Sequence, residues 1–171
     1  MNPKILHNLT MIPFFLFGII ALIIGIRWIS HPEPWLLDKI ANETILNESF
    51  QDLFKREGND NLPLYLTNIY RFFGLWVSST GALTLIFTYL TRLGTPLSRA
   101  LIQGVYLILL FGATYLLYVY IPNSHFKYLA GAFWVLYVIS FWSGIQLNKF
   151  CLLYTSPSPR DRTRSRMPSS A

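Results

Sequence analysis

Four long apolar runs, parted by one broad polar stretch and two tight polar links, set the plan of the chain. The runs are Leu9–Trp28, Ile69–Thr91, Leu97–Ile121 and Phe126–Leu147. A helix rises about 1.5 Å per residue, so each run reaches the roughly 30 Å of a bilayer's hydrocarbon core. The pattern predicts an all-α integral membrane fold, an antiparallel four-helix bundle with neighbours joined by the short links. The first run is too long for a signal-peptide core. Gly25-Ile26-Arg27-Trp28 is also a poor cleavage site, so this run is expected to stay as a span.

Residues 29–68 form the polar region. His31-Pro32-Glu33-Pro34 ends the first helix, and Pro34 can open a short helix through Trp35, Leu36, Leu37 and Ile40. A second amphipathic helix is expected from Glu48 to Glu57. Asn47 would be its N-cap, Leu46, Phe50, Leu53 and Phe54 its apolar face, and Gly58 its stop. These faces suit a membrane surface or a cap on the bundle. Thr95-Pro96 reads as cap and first residue of the third span.

Without a hydrophobic drive between helices in lipid, small residues mark contact faces. Gly74, Ser78, Gly81 and Ala82 share one face of the second span. This makes it the helix on which the others are expected to pack. Gly18 and Gly25 share a face of the first, and Gly104, Gly112 and Gly131 are candidate packing positions on the third and fourth. Pro13 is placed in the first turn of its helix, where a missing N–H costs little.

Composition then narrows the chemistry. Of 171 residues only 13% are charged, against about a quarter in a soluble domain. The seven acids before residue 150 all lie in the polar loop, and no span carries a carboxylate. Proton- and cation-coupled carriers depend on such groups, so a small-solute channel or carrier is the weakest of three functional readings. His7, His31 and His125 stand at span ends, and the one cysteine is Cys151, so no metal site is expected. No serine-nucleophile, P-loop or dinucleotide motif occurs, hence no catalytic residue and no cofactor is assigned. Asn8, Asn42 and Asn47 match glycosylation sequons, which matter only in a secretory lumen.

Arg27 and Arg71 end their spans on the loop side, where Trp28, Tyr70 and Trp76 gather. They are candidates to meet a lipid or quinone headgroup, or to pair with loop acids such as Glu33. The leading reading is a non-catalytic accessory or scaffold subunit, more a packing protein than an enzyme. The runner-up is a redox-linked subunit that binds quinone or lipid near Arg71. The expected partners are the lipid bilayer, a second copy or another membrane protein, and no nucleic acid. Counting Lys and Arg alone favours the side of Arg27, Lys39, Lys55, Arg56, Arg71 and Lys127 inside. The short, acid-free link between the second and third spans favours instead the side of Lys4, Arg92, Arg99 and Lys149; the expectation adopted is both termini in the cytoplasm.

Composition changes abruptly at residue 151. Cys151–Asp161 back-translates to a sequence resembling the transposon-end adapter of a sequencing library, and Ser165–Ala171 resembles the outer adapter of the same library. Residues 151–171 are therefore read as an artefactual, disordered tail, and 1–150 as the membrane domain. Without that tail the chain keeps ten bases and seven acids, so its balance drops from +6 to +3.

His31-Pro32-Glu33-Pro34 with its polar loop, then Tyr70-Arg71-Phe72-Phe73-Gly74 followed by Gly81 and Leu85, resembles the small four-span bacterial proteins of the DUF4345 and DoxX-like type. The resemblance covers most of 9–147, although the loop is longer here. It implies a bacterial inner membrane and a link to respiratory or redox membranes. Arg71-x-Phe-Gly-x-Trp more faintly resembles a sterol-synthesis scaffold.

Overall fold

A computed structural model describes residues 2–155; side chains are described to Phe150. Every regular element in that range is helical. α1 spans Pro3–Ser30, and a short 3-10 helix covers Pro34–Asp38. Then come α2 (Lys39–Leu46), α3 (Phe50–Lys55), α4 (Leu62–Thr91), α5 (Pro96–Val119) and α6 (Phe126–Thr155). α1, α4, α5 and α6 are each long and apolar enough to cross a membrane.

Two of these helices begin earlier than the apolar runs predict. Asn2 caps α1 by accepting a hydrogen bond from the Lys4 N–H at 2.9 Å, and Pro3 follows as first residue. Pro13 consequently lies inside α1 and not in its first turn; its ring leaves the Leu9 carbonyl without the usual donor. α4 opens at Leu62 with Pro63 in its first turn. At 30 residues it measures about 45 Å, longer than the hydrocarbon core, so its first turns are free to meet the loop. The suggested tail begins inside helix, since α6 runs to Thr155, and 156–171 fall outside the described residues.

The loop differs from expectation in its caps. Ser49, not Asn47, caps α3: its Oγ accepts from the Asp52 N–H at 3.1 Å. Asn47 instead ends α2, a helix absent from the sequence expectation, in the left-handed conformation at φ 52°. Asparagine tolerates that conformation well enough to serve as a helix stop. The Thr95 cap is as read, with its Oγ1 accepting from the Ser98 N–H at 3.1 Å.

The centre of the bundle is α1, not α4. α1 packs along α4 on one side and α6 on the other, and α5 packs on α6. Gly18 faces Gly81 and Gly25 faces Gly74, so α1 and α4 run in opposite directions. α5 and α6 also run oppositely, with Arg99 reaching Asn148 and Trp134 reaching Thr114. The core gathers Phe14 and Phe17 of α1, Leu93 of the α4–α5 link, Ile102 and Tyr106 of α5, and Tyr137 of α6. Phe17 stacks on Tyr106 at 4.8 Å and meets Phe133 edge-on at the same centroid distance.

Candidate functional site

The loop-side end of α4 is where the sequence places its candidate headgroup contacts, and the structure divides them. Tyr70 and Trp28 turn inward. Asn42 of α2 donates from Nδ2 to the Tyr70 hydroxyl at 2.8 Å and to the Trp35 carbonyl at 3.2 Å. Both amide protons are thus committed, which fixes the Asn42 orientation. Trp28 packs against Phe73 and Phe126, with centroids 5.1 and 5.7 Å away, and its Cβ closes over Gly74. It is a joint between α1, α4 and α6 rather than a free interfacial ring.

Arg27, Arg71 and Trp76 are exposed. Neither guanidinium enters an ion pair or hydrogen bond among the described residues, so the expected pairing with Glu33 is not made. The loop acids take loop bases instead: Arg56 reaches Glu48 at 2.7 Å, and Lys39 reaches Glu43 at 3.7 Å. Trp76 touches Phe72 edge-on and is 61% exposed on the outer side of α4.

Beneath the loop helices lies a cavity of about 390 Å³. Its walls are Ile45, Leu46, Phe50, Leu53, Leu62 and Leu66, with Asn42 and Tyr70 as its polar groups. Phe54 and Trp35 pack against the Phe50 wall as tilted and edge-on rings, with centroids 5.5 to 6.3 Å apart. Arg71 does not line it, because the residue next to Tyr70 on a helix points about 100° away.

A second opening, about 250 Å³, separates α4 from α5. Thr80, Leu83, Thr84 and Phe87 form one wall, and Leu101, Ile102, Val105, Tyr106 and Leu109 the other. One hydrogen bond ties the two walls, from the Tyr106 hydroxyl to Thr84 Oγ1 at 2.9 Å.

The packing residues also divide. A Cβ on Gly74 would stand 2.7 Å from the Gly25 carbonyl oxygen, and one on Gly81 would stand 2.6 Å from the Leu22 nitrogen. Ser78 is buried beside them and Ala82 half-buried. At Gly104, Gly112 and Gly131 an added Cβ meets nothing within 4 Å, so none of the three makes the expected close contact within the chain. Each lies on the outward side of its helix.

Sequence reasoning missed a polar seam at the opposite end of the bundle. Arg99 is 2% exposed. Its Nη1 donates to the Leu93 carbonyl at 2.7 Å, and its Nη2 and Nε donate to Asn148 Oδ1 at 2.6 and 3.2 Å. Gln103 Nε2 donates to the Ser140 carbonyl, Ser140 Oγ to the Thr10 carbonyl at 2.7 Å, and Thr10 Oγ1 to Ser143 Oγ at 3.0 Å. The signal was available: Ser140, Ser143, Gly144 and Asn148 recur on one face of the fourth span.

At the third histidine, Asp38 holds two partners from the α5–α6 link, Ser124 Oγ at 2.6 Å and His125 Nδ1 at 3.1 Å. No cluster of three metal-ligating side chains occurs among the described residues. No family model, curated protein or solved structure matches this chain.

Proposed function

We propose that the chain is a non-catalytic accessory subunit of a membrane assembly, working by helix packing. It sits as an antiparallel four-span bundle in a bacterial inner membrane with both termini in the cytoplasm. The observation that carries this reading is the cleft between α4 and α5, bridged among the described residues by one side-chain hydrogen bond and lined, Thr80 apart, by apolar side chains on both walls. Helices in lipid associate by filling such surfaces, and the partner is a helix of another membrane protein or of a second copy.

The test is the size of the particle extracted in mild detergent. The reading expects a defined complex larger than one chain, and expects Leu83→Trp with Val105→Trp to release the chain as a folded monomer. A wild-type chain that extracts alone, unaffected by those substitutions, contradicts it.

A second reading, a membrane subunit that binds a quinone or lipid beside the loop, is favoured by the cavity under α2 and α3. That cavity falls within the roughly 300–1,000 Å³ range of small-molecule pockets, with few polar groups on apolar walls.

A further inference from the structure

We propose that the cavity beneath α2 and α3 binds an uncharged, hydroxyl-headed amphiphile drawn from the bilayer, its head held between Tyr70 and Asn42. This inference rests on the second reading above and specifies the ligand's chemistry.

The walls decide the charge of the guest. No Lys, Arg, Asp or Glu lines the cavity. The loop charge that acts on the Tyr70 hydroxyl is the carboxylate of Asp38, an acid held by Ser124 and His125, and Lys39 and Arg56 are taken by Glu43 and Glu48. A carboxylate or phosphate head would enter without a counter-ion, at the desolvation cost that buried lone charges carry. Arg71, the cation next in sequence, points elsewhere.

The polar pair decides the head. Asn42 has spent both amide protons, on the Trp35 carbonyl and on the Tyr70 oxygen. Tyr70 accepts that bond, which leaves its own proton to donate, and Asn42 Oδ1 remains as an acceptor. One donor beside one acceptor matches a hydroxyl, which accepts from Tyr70 and donates to Asn42. A ketone or quinone carbonyl accepts alone and leaves Asn42 Oδ1 unserved. An alcohol and a hydroquinone share the required group.

The outer face of the loop decides the source. Ile40 is 76% exposed on α2, with Ile45 and Leu46 at 50% and 44% on the cavity rim. Leu64 and Tyr65 stand 63% and 61% exposed in the first turn of α4. Such apolar side chains around a polar loop seat it on a membrane surface, so the rim meets acyl chains and a guest enters from lipid.

Trp35 packs against Phe50, a cavity wall, with ring centroids 6.3 Å apart, and so reports occupancy. The experiment uses the full chain in detergent micelles with W28F, W76F, W134F and W142F, which leaves Trp35 as the one tryptophan. A brominated long-chain alcohol is titrated and Trp35 quenching followed. Its methyl ether, which accepts but cannot donate, and the matching brominated carboxylate are the comparison probes.

The expected result is saturable quenching by the alcohol, several-fold weaker with the ether and weakest with the carboxylate. Tyr70→Phe, which keeps the ring and the cavity, weakens the alcohol roughly five-fold, as loss of one neutral hydrogen bond should. Leu66→Trp, which fills the cavity, abolishes saturation. Unbrominated alcohol and a short-tailed hydroquinone then compete, and displacement by either supports the class while the stronger competitor names the source. If the carboxylate binds best, the proposed chemistry falls but the ligand-binding reading stands. If all probes quench alike and without saturation, both fall.

Discussion

Gly25 and Gly74 lie against each other across the α1–α4 interface. A Cβ on Gly25 would stand 2.6 Å from the Gly74 carbonyl oxygen, and a Cβ on Gly74 would stand 2.7 Å from the Gly25 carbonyl oxygen. Both obstacles are backbone, which cannot turn aside as a side chain can. Two turns on, Gly18 and Gly81 repeat the relationship, a Cβ on Gly81 standing 2.7 Å from the Gly18 carbonyl oxygen. Two helices held this close gain dispersion contacts along their length, the main attraction between helices in lipid. Trp28 and Phe73 then close over the loop-side end of the seam.

The buried guanidinium of Arg99 predicts an order of severity. Asn148→Leu removes the acceptor of two charge-assisted hydrogen bonds from a buried guanidinium, so it should destabilise the bundle by about 3 kcal/mol. Arg99→Met removes the cation itself and should cost less, about 2 kcal/mol. The double variant should be no worse than Asn148→Leu alone. Denaturation in mild detergent, followed by helical circular dichroism, measures all three.

Across the α4–α5 cleft, Tyr106→Phe keeps the ring stacked on Phe17 and loses the bond to Thr84. The expected loss is about 1 kcal/mol. Tyr106→Leu also loses the aromatic contacts with Phe14 and Phe17 and should cost about 3 kcal/mol. Equal losses for the two variants would mean that the hydroxyl alone holds the cleft.

Asp38 ties the 3-10 turn of the first loop to the α5–α6 link through Ser124 and His125. Asp38→Ala should loosen the loop without unfolding the bundle. Amide exchange over 34–58 should then quicken by about ten-fold, while exchange in α1 and α6 stays unchanged. Faster exchange throughout the chain would place Asp38 in the global fold instead.

Topology has its own test. Reporters fused at Gly58 and at Asn148 should fall on opposite sides of the membrane, with Asn148 cytoplasmic. The basis is the short α4–α5 link, which carries Arg92 and leads to Arg99 with no acid between them. Activity of both on the same side would contradict four spans.

Particular residues show why some of this was legible in sequence and some was not. Apolar runs longer than a bilayer state their structure through length alone, so four long helices follow directly. The Thr95-Pro96 start is equally local, because cap and first residue are adjacent. Which helix sits centrally is not local. Gly74, Ser78 and Gly81 mark a contact face, but the face does not say that α1 is the helix that also meets α6. Gly104 and Gly112 look like Gly74 in sequence, and only the outward turn of α5 distinguishes them. Arg99 was read as a charge for topology because its acceptors, Leu93 and Asn148, come from opposite ends of the chain's second half. The loop cavity likewise needs α2, which depends on Asn47 adopting a left-handed stop.

The glycine seam between α1 and α4 holds the architecture together. The direct measurement is the unfolding of Gly25→Leu and Gly104→Leu side by side in the same detergent. Gly25→Leu should lose at least about 3 kcal/mol or fail to fold, because its side chain meets the backbone of α4. Gly104→Leu should unfold like the wild type or slightly later, since leucine favours helix over glycine by up to about 1 kcal/mol. A Gly25→Leu bundle as stable as the wild type, or a Gly104→Leu bundle that collapses, would contradict the architecture described above.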